Sequence, residues 1–187
     1  MPYAQVTQML VDEHAVITSV LDAVAAVATR AERSGDFPQE FFEKAFDFFP
    51  AFADKYHHAK EEEHLFPALE RRGMPRHGGP IGCMLSEHEE GRRHVQAVRE
   101  ALRRTAEGDA TARVAVRDEA RAYVDLLRQH IMKENQVLFV MSDNVLTDED
   151  QQELWGRFQS AERSALPPGE RERYIALAKE LRGFAGL

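Results

Sequence analysis

Three histidines in this chain, His57, His58 and His130, are followed by a glutamate one helical turn later, and two of these pairs recur in matching surroundings. Glu61 follows His57 by four residues, and Glu134 follows His130 by four residues. On a helix, positions i and i+4 lie on the same face, so each pair points an imidazole and a carboxylate in one direction. Imidazole together with carboxylate suits iron, zinc or manganese. The spacing therefore predicts two metal-binding arms.

The surroundings of the two pairs are duplicated seventy-three positions apart. The matched residues are Lys60 and Lys133, Leu65 and Leu138, and Phe66 and Phe139. Upstream, two similar stretches end in a Glu-His dipeptide, at His14 and at His88. His14 precedes His57 by 43 positions, and His88 precedes His130 by 42 positions. A helical hairpin that carries a lone histidine followed by His-x-x-x-Glu is therefore predicted twice.

Two such hairpins packed around an approximate twofold axis would bring six donor groups to one level of the interior. These groups are His14, His57, Glu61, His88, His130 and Glu134. A buried ionisable group without a partner is costly, so a sequence that turns such groups inward twice requires a partner for them. Two inward carboxylates fit two metal ions better than one, because each carboxylate can bridge both ions and offset their charge. A structural zinc ion would instead take four ligands, and a metal-free bundle is the remaining alternative.

Four long amphipathic helices are predicted to position these groups. Apolar residues recur at spacings of three, four and seven, and turn residues separate the periodic stretches. The expected helices run from about Tyr3 to Arg33, 39 to 72, 81 to 107 and 110 to 144. Short loops between helices of this length favour an up-down-up-down arrangement. The predicted fold class is therefore all-α, with a four-helix bundle at 1–146.

Local signals refine this arrangement at three places. Gly35 lies just beyond the first helix, where a glycine commonly ends a helix. Pro50 lies inside the second helix and is expected to kink it about two turns before His57. Thr147 is an N-cap signal that opens two short helices at 147–187. We interpret these two helices as an extension packed on the bundle, either a cover over one end or an oligomer contact such as that of a homodimer.

Composition narrows the class of partner. A net charge of -8 argues against nucleic acid or an anionic membrane surface as a partner. The single cysteine, Cys83, excludes an internal disulfide and suits a reducing compartment. No signal peptide is apparent, and no apolar run has the length of a membrane span. The expected location is the cytoplasm.

Four features occur in this order on the four predicted helices: His14, His57-x-x-x-Glu61, His88 and His130-x-x-x-Glu134. In these features the chain resembles the hemerythrin-like proteins, also called HHE cation-binding domains. This resemblance covers about residues 1–146 and implies a non-haem di-iron centre. The two iron ions would share bridging carboxylates and an oxo, hydroxo or water bridge. The function it implies is binding or sensing of dioxygen, nitric oxide or peroxide. Alternatives within the family are a di-iron enzyme, either catalase-like or nitric oxide-reducing, and iron storage or donation.

One position departs from the oxygen carriers of that family. Those proteins have a second histidine one turn after the histidine of the third helix, where this chain has Arg92. The resemblance then implies that one iron has a nitrogen ligand fewer, which argues against simple reversible oxygen carriage. The open position would hold water or substrate, or would be filled by His58, the neighbour of His57. Otherwise His58 would hydrogen-bond to a ligand or between helices.

Other polar residues near the motifs are expected to lie outside the centre. The residues expected at the surface are Glu62, Glu63, His64, His77 and His94. Glu13 and Glu87 do not share a helix face with the histidines that follow them, so they are not predicted as ligands. The apolar neighbours expected to form a dry wall around the ligands are Leu10, Ile17, Ala53, Leu65, Leu126, Leu127 and Leu138. Tyr123, two turns before His130, is expected in the core or over the metal pocket.

Overall fold

The computed structural model describes residues 4–187, so the predicted helix start at Tyr3 lies outside the described residues. Four long helices are followed by two shorter ones, with the bounds α1 Gln5–Ser34, α2 39–71, α3 Gly79–Ala106, α4 112–145, α5 Asp148–Ala165 and α6 Glu170–Ala185. Residues 4–187 contain no strand, which confirms the all-α class. Within the same residues, no helix has both the length and the apolar character needed to cross a membrane.

The four long helices form the predicted bundle. Each packs against the next one along the chain, and α4 packs back against α1. Gly35 ends α1 with a φ of 74°, and its N–H donates to the Ala31 carbonyl oxygen at 3.0 Å. This left-handed conformation favours glycine because glycine has no Cβ. The predicted first helix end is therefore confirmed.

Two of the long helices contain π-helical segments. In α2 these segments are Phe49–His58 and Glu61–Leu65, and in α4 the segment is Glu134–Leu138. The i→i+5 hydrogen bonds of a π-helix make its turn wider than that of an α-helix. Pro50, which lacks an amide hydrogen, is the second residue of the first segment. The irregularity expected at Pro50 therefore takes the form of a π-helical segment within a continuous helix.

The apolar core consists of two clusters, and the predicted wall residues divide between them. The first cluster includes Ile17, Ala53 and Leu127, and the second includes Leu10, Leu65 and Leu138. His14 lies on α1 one turn from Leu10 and one turn from Ile17, so a polar layer separates the two clusters. The wall is thus confirmed as buried, except that Leu126 is only partly buried.

The two C-terminal helices pack along α1 and α2. Leu154 and Phe158 of α5 join one apolar cluster, and Tyr174 and Leu181 of α6 join the other. The helices therefore lie along one side of the bundle, so they are not the cover over one end that was one of the two roles considered for them. A role in a homodimer stays a prediction.

The start of α5 is held by a capping box. The Thr147 hydroxyl accepts from the backbone N–H of Asp150 at 3.3 Å, and the Asp150 carboxylate accepts from the backbone N–H of Thr147 at 2.9 Å. This is the N-cap that the sequence predicts. Arg72, at the end of α2, donates to the same Asp150 carboxylate at 2.6 Å. The cap therefore also ties α5 to the bundle.

Candidate metal centre

The six predicted ligands and His58 come together in the polar layer of the bundle. They form two groups of four residues, His14, His57, Glu61 and Glu134, and His58, Glu61, His88 and His130. Within each group, one donor atom from each residue lies within 4.8 Å of those from the others. All seven residues are buried. The four long helices each contribute at least one of them, as the duplicated hairpin predicts.

Each glutamate lies between a histidine of one group and a histidine of the other. The two oxygens of Glu61 lie 3.6 Å from His57 Nε2 and 3.6 Å from His88 Nε2. Oε2 of Glu134 lies 3.1 Å from His14 Nε2 and 3.3 Å from His130 Nε2. Both carboxylates are therefore placed to bridge two ions.

Six donor atoms at the middle of this layer have no hydrogen-bond partner, whereas Nε2 of His88 and Nε2 of His130 lie 3.1 Å from each other. His14 Nε2, His57 Nε2 and both oxygens of Glu61 and of Glu134 are inaccessible to solvent and unpartnered. They are six of the eight such side-chain atoms among residues 4–187. The short contact between His14 and Glu134 has an ion-pair distance without the geometry of a hydrogen bond. Such burial is costly without compensation, and bound metal cations would supply that compensation.

Burial keeps several of the imidazoles neutral. Burial lowers the pKa of His57 well below its ordinary value, and burial beside His88 lowers the pKa of His58 to about 3. Burial also lowers the pKa of His88. A neutral imidazole has a free lone pair, which is the form that binds a metal.

Two other groups have pKa values above their ordinary range and therefore hold a proton more readily when no cation is bound. Burial, and then the charge of Glu134, raise the pKa of Glu61 well above its usual value. Burial alone would lower the pKa of His130, but the adjacent Glu134 outweighs it and the pKa is raised to about 9. Cation binding would release these protons.

The other ring nitrogen of each histidine faces a partner outside the centre. Nδ1 of His14, His57, His88 and His130 lies 2.7–3.1 Å from an oxygen of Asn135, Glu13, Glu62 and Glu87 respectively. Nδ1 of His58 lies 3.6 Å from Asp54, which is longer than a hydrogen bond. Burial alone would raise the pKa values of Glu62 and Glu87, but their hydrogen bonds and ion pairs lower them to about 2, so these carboxylates are ionised and only accept. Nδ1 of His88 and of His130 therefore donates, and Nε2 is left facing the interior. Partners of this kind fix the orientation of metal-binding histidines.

These partners repeat between the two hairpins. Glu13 contacts His57 and Lys60, and Glu87 contacts His130 and Lys133 in the same way. The prediction that Glu13 and Glu87 do not join the donor groups agrees with the geometry, but sequence reasoning missed their role as partners. The signal was present, since a glutamate and a lysine occur at matching positions in both copies.

Glu62 was predicted on the solvated side of α2, and this was wrong. Its carboxylate is only 24% exposed and accepts from His88 Nδ1 at 2.7 Å. Neighbouring helices surround this position, and helix periodicity alone does not reveal that.

Arg92, at the position where the oxygen carriers have a histidine, pairs with three carboxylates next to the second donor group. Its guanidinium donates to Asp54 and Glu62 at 2.7 Å and to Glu89 at 2.6 Å. Asp54 and Glu62 face His58 and His88, so Arg92 braces these two histidines from outside. The fourth donor of the second group is His58, whose ring stacks on that of His88 with centroids 3.9 Å apart.

The remaining histidines lie apart from the two groups. His77 is exposed in the loop between α2 and α3. His94 is partly buried and its Nδ1 lies 2.7 Å from Glu119. His64 was expected in solvent but is partly buried near Phe158 of α5, with 6.3 Å between the ring centroids. None of these three residues belongs to either donor group.

A pocket of about 190 Å³ reaches the second group from the surface. Its lining includes His58, His88, Arg92 and Tyr123. Gly91 also lines it, and a Cβ at that position would lie 3.4 Å from the Tyr123 ring. Tyr123 is buried in the first apolar cluster, as expected, and its ring also lines this pocket beside the second donor group.

The family model of the hemerythrin HHE cation binding domain matches residues 5–142. The chain therefore belongs to the hemerythrin HHE cation-binding family. No curated protein and no solved structure matches it. The family and the two buried histidine–glutamate groups are those of a metal-binding protein.

Proposed function

We propose that this protein holds two iron ions and uses them to bind or sense a small molecule, namely dioxygen, nitric oxide or peroxide. One ion would take His14 and His57, the other would take His58, His88 and His130, and Glu61 and Glu134 would serve both. The observation that carries the proposal is the set of six buried, unpartnered donor atoms between the hairpins. Two cations satisfy these atoms, and the two carboxylates offset part of the positive charge.

The donor set is compatible with iron and argues against metals that require thiolate ligands. Nitrogen and carboxylate oxygen suit iron, zinc and manganese, whereas thiolates would favour a different chemistry. Cys83 is exposed and belongs to neither group. A structural zinc site takes four ligands and closes, while here two four-residue groups share a glutamate. A pair of ferrous ions supplies electrons and binding positions for dioxygen, nitric oxide or peroxide.

The pocket beside His58 and His88 supports a small ligand. Its volume of about 190 Å³ suits a molecule of a few atoms, and the Tyr123 ring forms part of its lining. The same pocket favours a second candidate, an enzyme that breaks down peroxide or reduces nitric oxide. Turnover requires substrate access to the metal, and this pocket provides a route to one donor group.

Metal analysis of protein purified without oxygen tests the proposal. We expect about two iron ions per chain in the wild type and about one in His58→Gln, because that variant removes a donor from the second group only. His94→Gln is the matched control and should keep both ions. Wild-type protein without iron, or an iron content in His58→Gln equal to that of the control, contradicts the proposed ligand set.

Additions to the reduced protein then separate the two candidates. Optical bands that appear with dioxygen or nitric oxide and reverse when the gas is removed indicate a binding or sensing protein. Rapid oxygen release from peroxide, or loss of nitric oxide over many turnovers, indicates an enzyme.

A further inference from the structure

The C-terminal helices contribute charged side chains as well as apolar ones to their contact with the bundle. The Tyr56 hydroxyl donates to the carboxylate of Glu162 from α5. Arg171 from α6 donates to the same hydroxyl at 2.9 Å. Glu162 also lies 3.8 Å from Lys60 Nζ. Both α5 and α6 therefore contact polar side-chain atoms of α2, namely the Tyr56 hydroxyl and the Lys60 ammonium group.

This connection continues to His57. Lys60 is 1% exposed, and its ammonium group pairs with one oxygen of Glu13. The other oxygen of Glu13 lies 2.9 Å from His57 Nδ1. The Lys60 ammonium also lies over the Tyr56 ring, 3.9 Å from its centroid. A continuous series of polar contacts therefore runs from α5 and α6 to a residue of the first donor group.

The second hairpin has the matching glutamate–lysine pair beside its histidine. It lacks the contacts that α5 and α6 add in the first hairpin. Glu87 contacts His130 and Lys133 as Glu13 contacts His57 and Lys60. The Lys133 side chain, however, is 34% exposed. The residue that corresponds to Tyr56 is Gln129, which is exposed. The C-terminal helices pack along α1 and α2, so only the first hairpin gains this outer support.

Apolar packing alone does not account for these contacts. Phe158 and Tyr174 already anchor α5 and α6 in the apolar clusters. A buried lysine is costly unless it is paired, and Lys60 meets its partners Glu13 and Glu162 at this point. The carboxylate of α5 therefore sits where it can hold the Lys60–Glu13 pair in one geometry.

We propose that Glu162 and Arg171 are positioning residues for the metal position that uses His57, and that they make the two metal positions unequal. They act through Tyr56, Lys60 and Glu13 on the orientation of the imidazole. This inference rests on the proposed function, because it requires a metal ion at His57. It assigns to residues 147–187 a part in the metal centre in addition to covering the bundle.

Titration of the metal-free protein with cobalt(II), followed through its visible absorption bands, tests this inference. We expect two equivalents to bind to the wild type with separate affinities. In Glu162→Gln and in Arg171→Met, one equivalent should weaken by about tenfold, the lower end of what loss of a ligand's hydrogen-bond partner costs. Its absorption band should shift, while the band of the other equivalent stays unchanged.

Two further variants complete the design. Glu153→Gln, also on α5, removes a carboxylate that pairs with Arg71 and Arg157 at the surface, and it should titrate like the wild type. Lys133→Met should weaken the opposite equivalent. Metal-free Glu162→Gln should melt somewhat below metal-free Glu153→Gln, because it loses a contact with the buried Lys60, but both should fold and bind two equivalents, so the comparison depends on which equivalent weakens.

Two results would overturn the inference. One is that Glu162→Gln titrates like Glu153→Gln. The other is that it weakens both equivalents equally, which indicates a purely structural role. If the wild type binds neither cobalt nor iron, the proposed function fails and the inference fails with it. If the wild type binds two ions and Glu162→Gln is unchanged, the inference alone fails.

Discussion

Each imidazole in the polar layer uses its two nitrogens differently. In His57, for example, Nδ1 lies 2.9 Å from Glu13, and Nε2 is buried without a hydrogen-bond partner. The same division holds in His14, where Nδ1 lies 2.8 Å from Oδ1 of Asn135 and Nε2 has no hydrogen-bond partner. A fixed tautomer and a fixed ring plane are what a metal position requires of its histidines.

Loss of a single donor should distinguish the residues of the centre from other histidines. We expect His57→Ala and Glu134→Ala to lower iron content sharply, because each removes a donor that no neighbouring residue replaces. His77→Ala and His94→Ala are controls outside both donor groups and should keep the wild-type content. Elemental analysis of the purified proteins provides the measurement. Equal loss in all four variants would contradict the assignment.

Glu61→Gln should separate metal binding from the stability of the metal-free fold. Burial and the adjacent Glu134 raise the pKa of Glu61 well above its usual value, so the neutral form of this side chain is favoured in the metal-free protein. Replacing it with a neutral amide of the same shape removes a shared ligand at little cost to the fold. We expect iron binding to be lost while the metal-free variant melts no lower than the metal-free wild type. Thermal unfolding in the presence of a chelator measures this, and a large drop in melting temperature would argue against it.

Among the helices, α2 is unusual because it places two adjacent histidines, His57 and His58, in the interior. A regular α-helix turns neighbouring side chains to different directions. The π-helical segment Phe49–His58 ends at His58, and both His57 and His58 are buried there, in different donor groups. The π-helical segments of α2 and α4 thus occur at the donor residues, where such irregularities are frequently functional.

The attachment of α5 to α2 should weaken in acid. The Arg72 guanidinium and the Thr147 backbone amide lower the pKa of Asp150 from 3.8 to about 2. A lowered pKa means that the ionised form stabilises the fold. This contribution is complete above a pH of about 4 and is lost as the pH falls through about 2.

We expect Asp150→Asn to reduce the free energy of unfolding at pH 7 by about 0.5–1 kcal/mol, the range of a partly exposed ion pair. The difference from the wild type should shrink as the pH falls from about 4 to about 2. Denaturant unfolding at several pH values measures it. A difference that is constant over this range would show that the Asp150 charge is not the cause.

For the whole molecule, the bundle is two apolar clusters joined across a layer of buried charges. Without cations, that layer contains unpartnered carboxylate and imidazole atoms. The same layer that weakens the metal-free fold is therefore a source of stability once ions bind.

Removal of the metal should lower the melting temperature. A ligand at about a thousand times its dissociation constant stabilises the native state by roughly 4 kcal/mol. In a protein of this size each kcal/mol shifts the melting temperature by about 2–4 °C, so we expect a decrease on the order of 10 °C. Calorimetry of iron-loaded and chelator-treated protein provides the comparison. Identical melting temperatures would contradict a metal-stabilised layer.

The sequence by itself determined the four long helices, the duplicated hairpin and the six donors that the structure gathers into one layer. These features follow from local rules, because i and i+4 share a helix face and glycine or a capping residue ends a helix. His14 and Glu134 lie 120 positions apart, yet the repeat was sufficient to place them together.

Only the tertiary structure decided the surroundings of those donors. The place of His58 depends on a π-helical turn, and the contacts of Glu62 and Arg92 depend on how α2 meets α3. The link from Glu162 to His57 joins residues more than a hundred positions apart. Helix periodicity reports which way a side chain points on its own helix, whereas a partner across a helix interface is set by the packing of the whole chain.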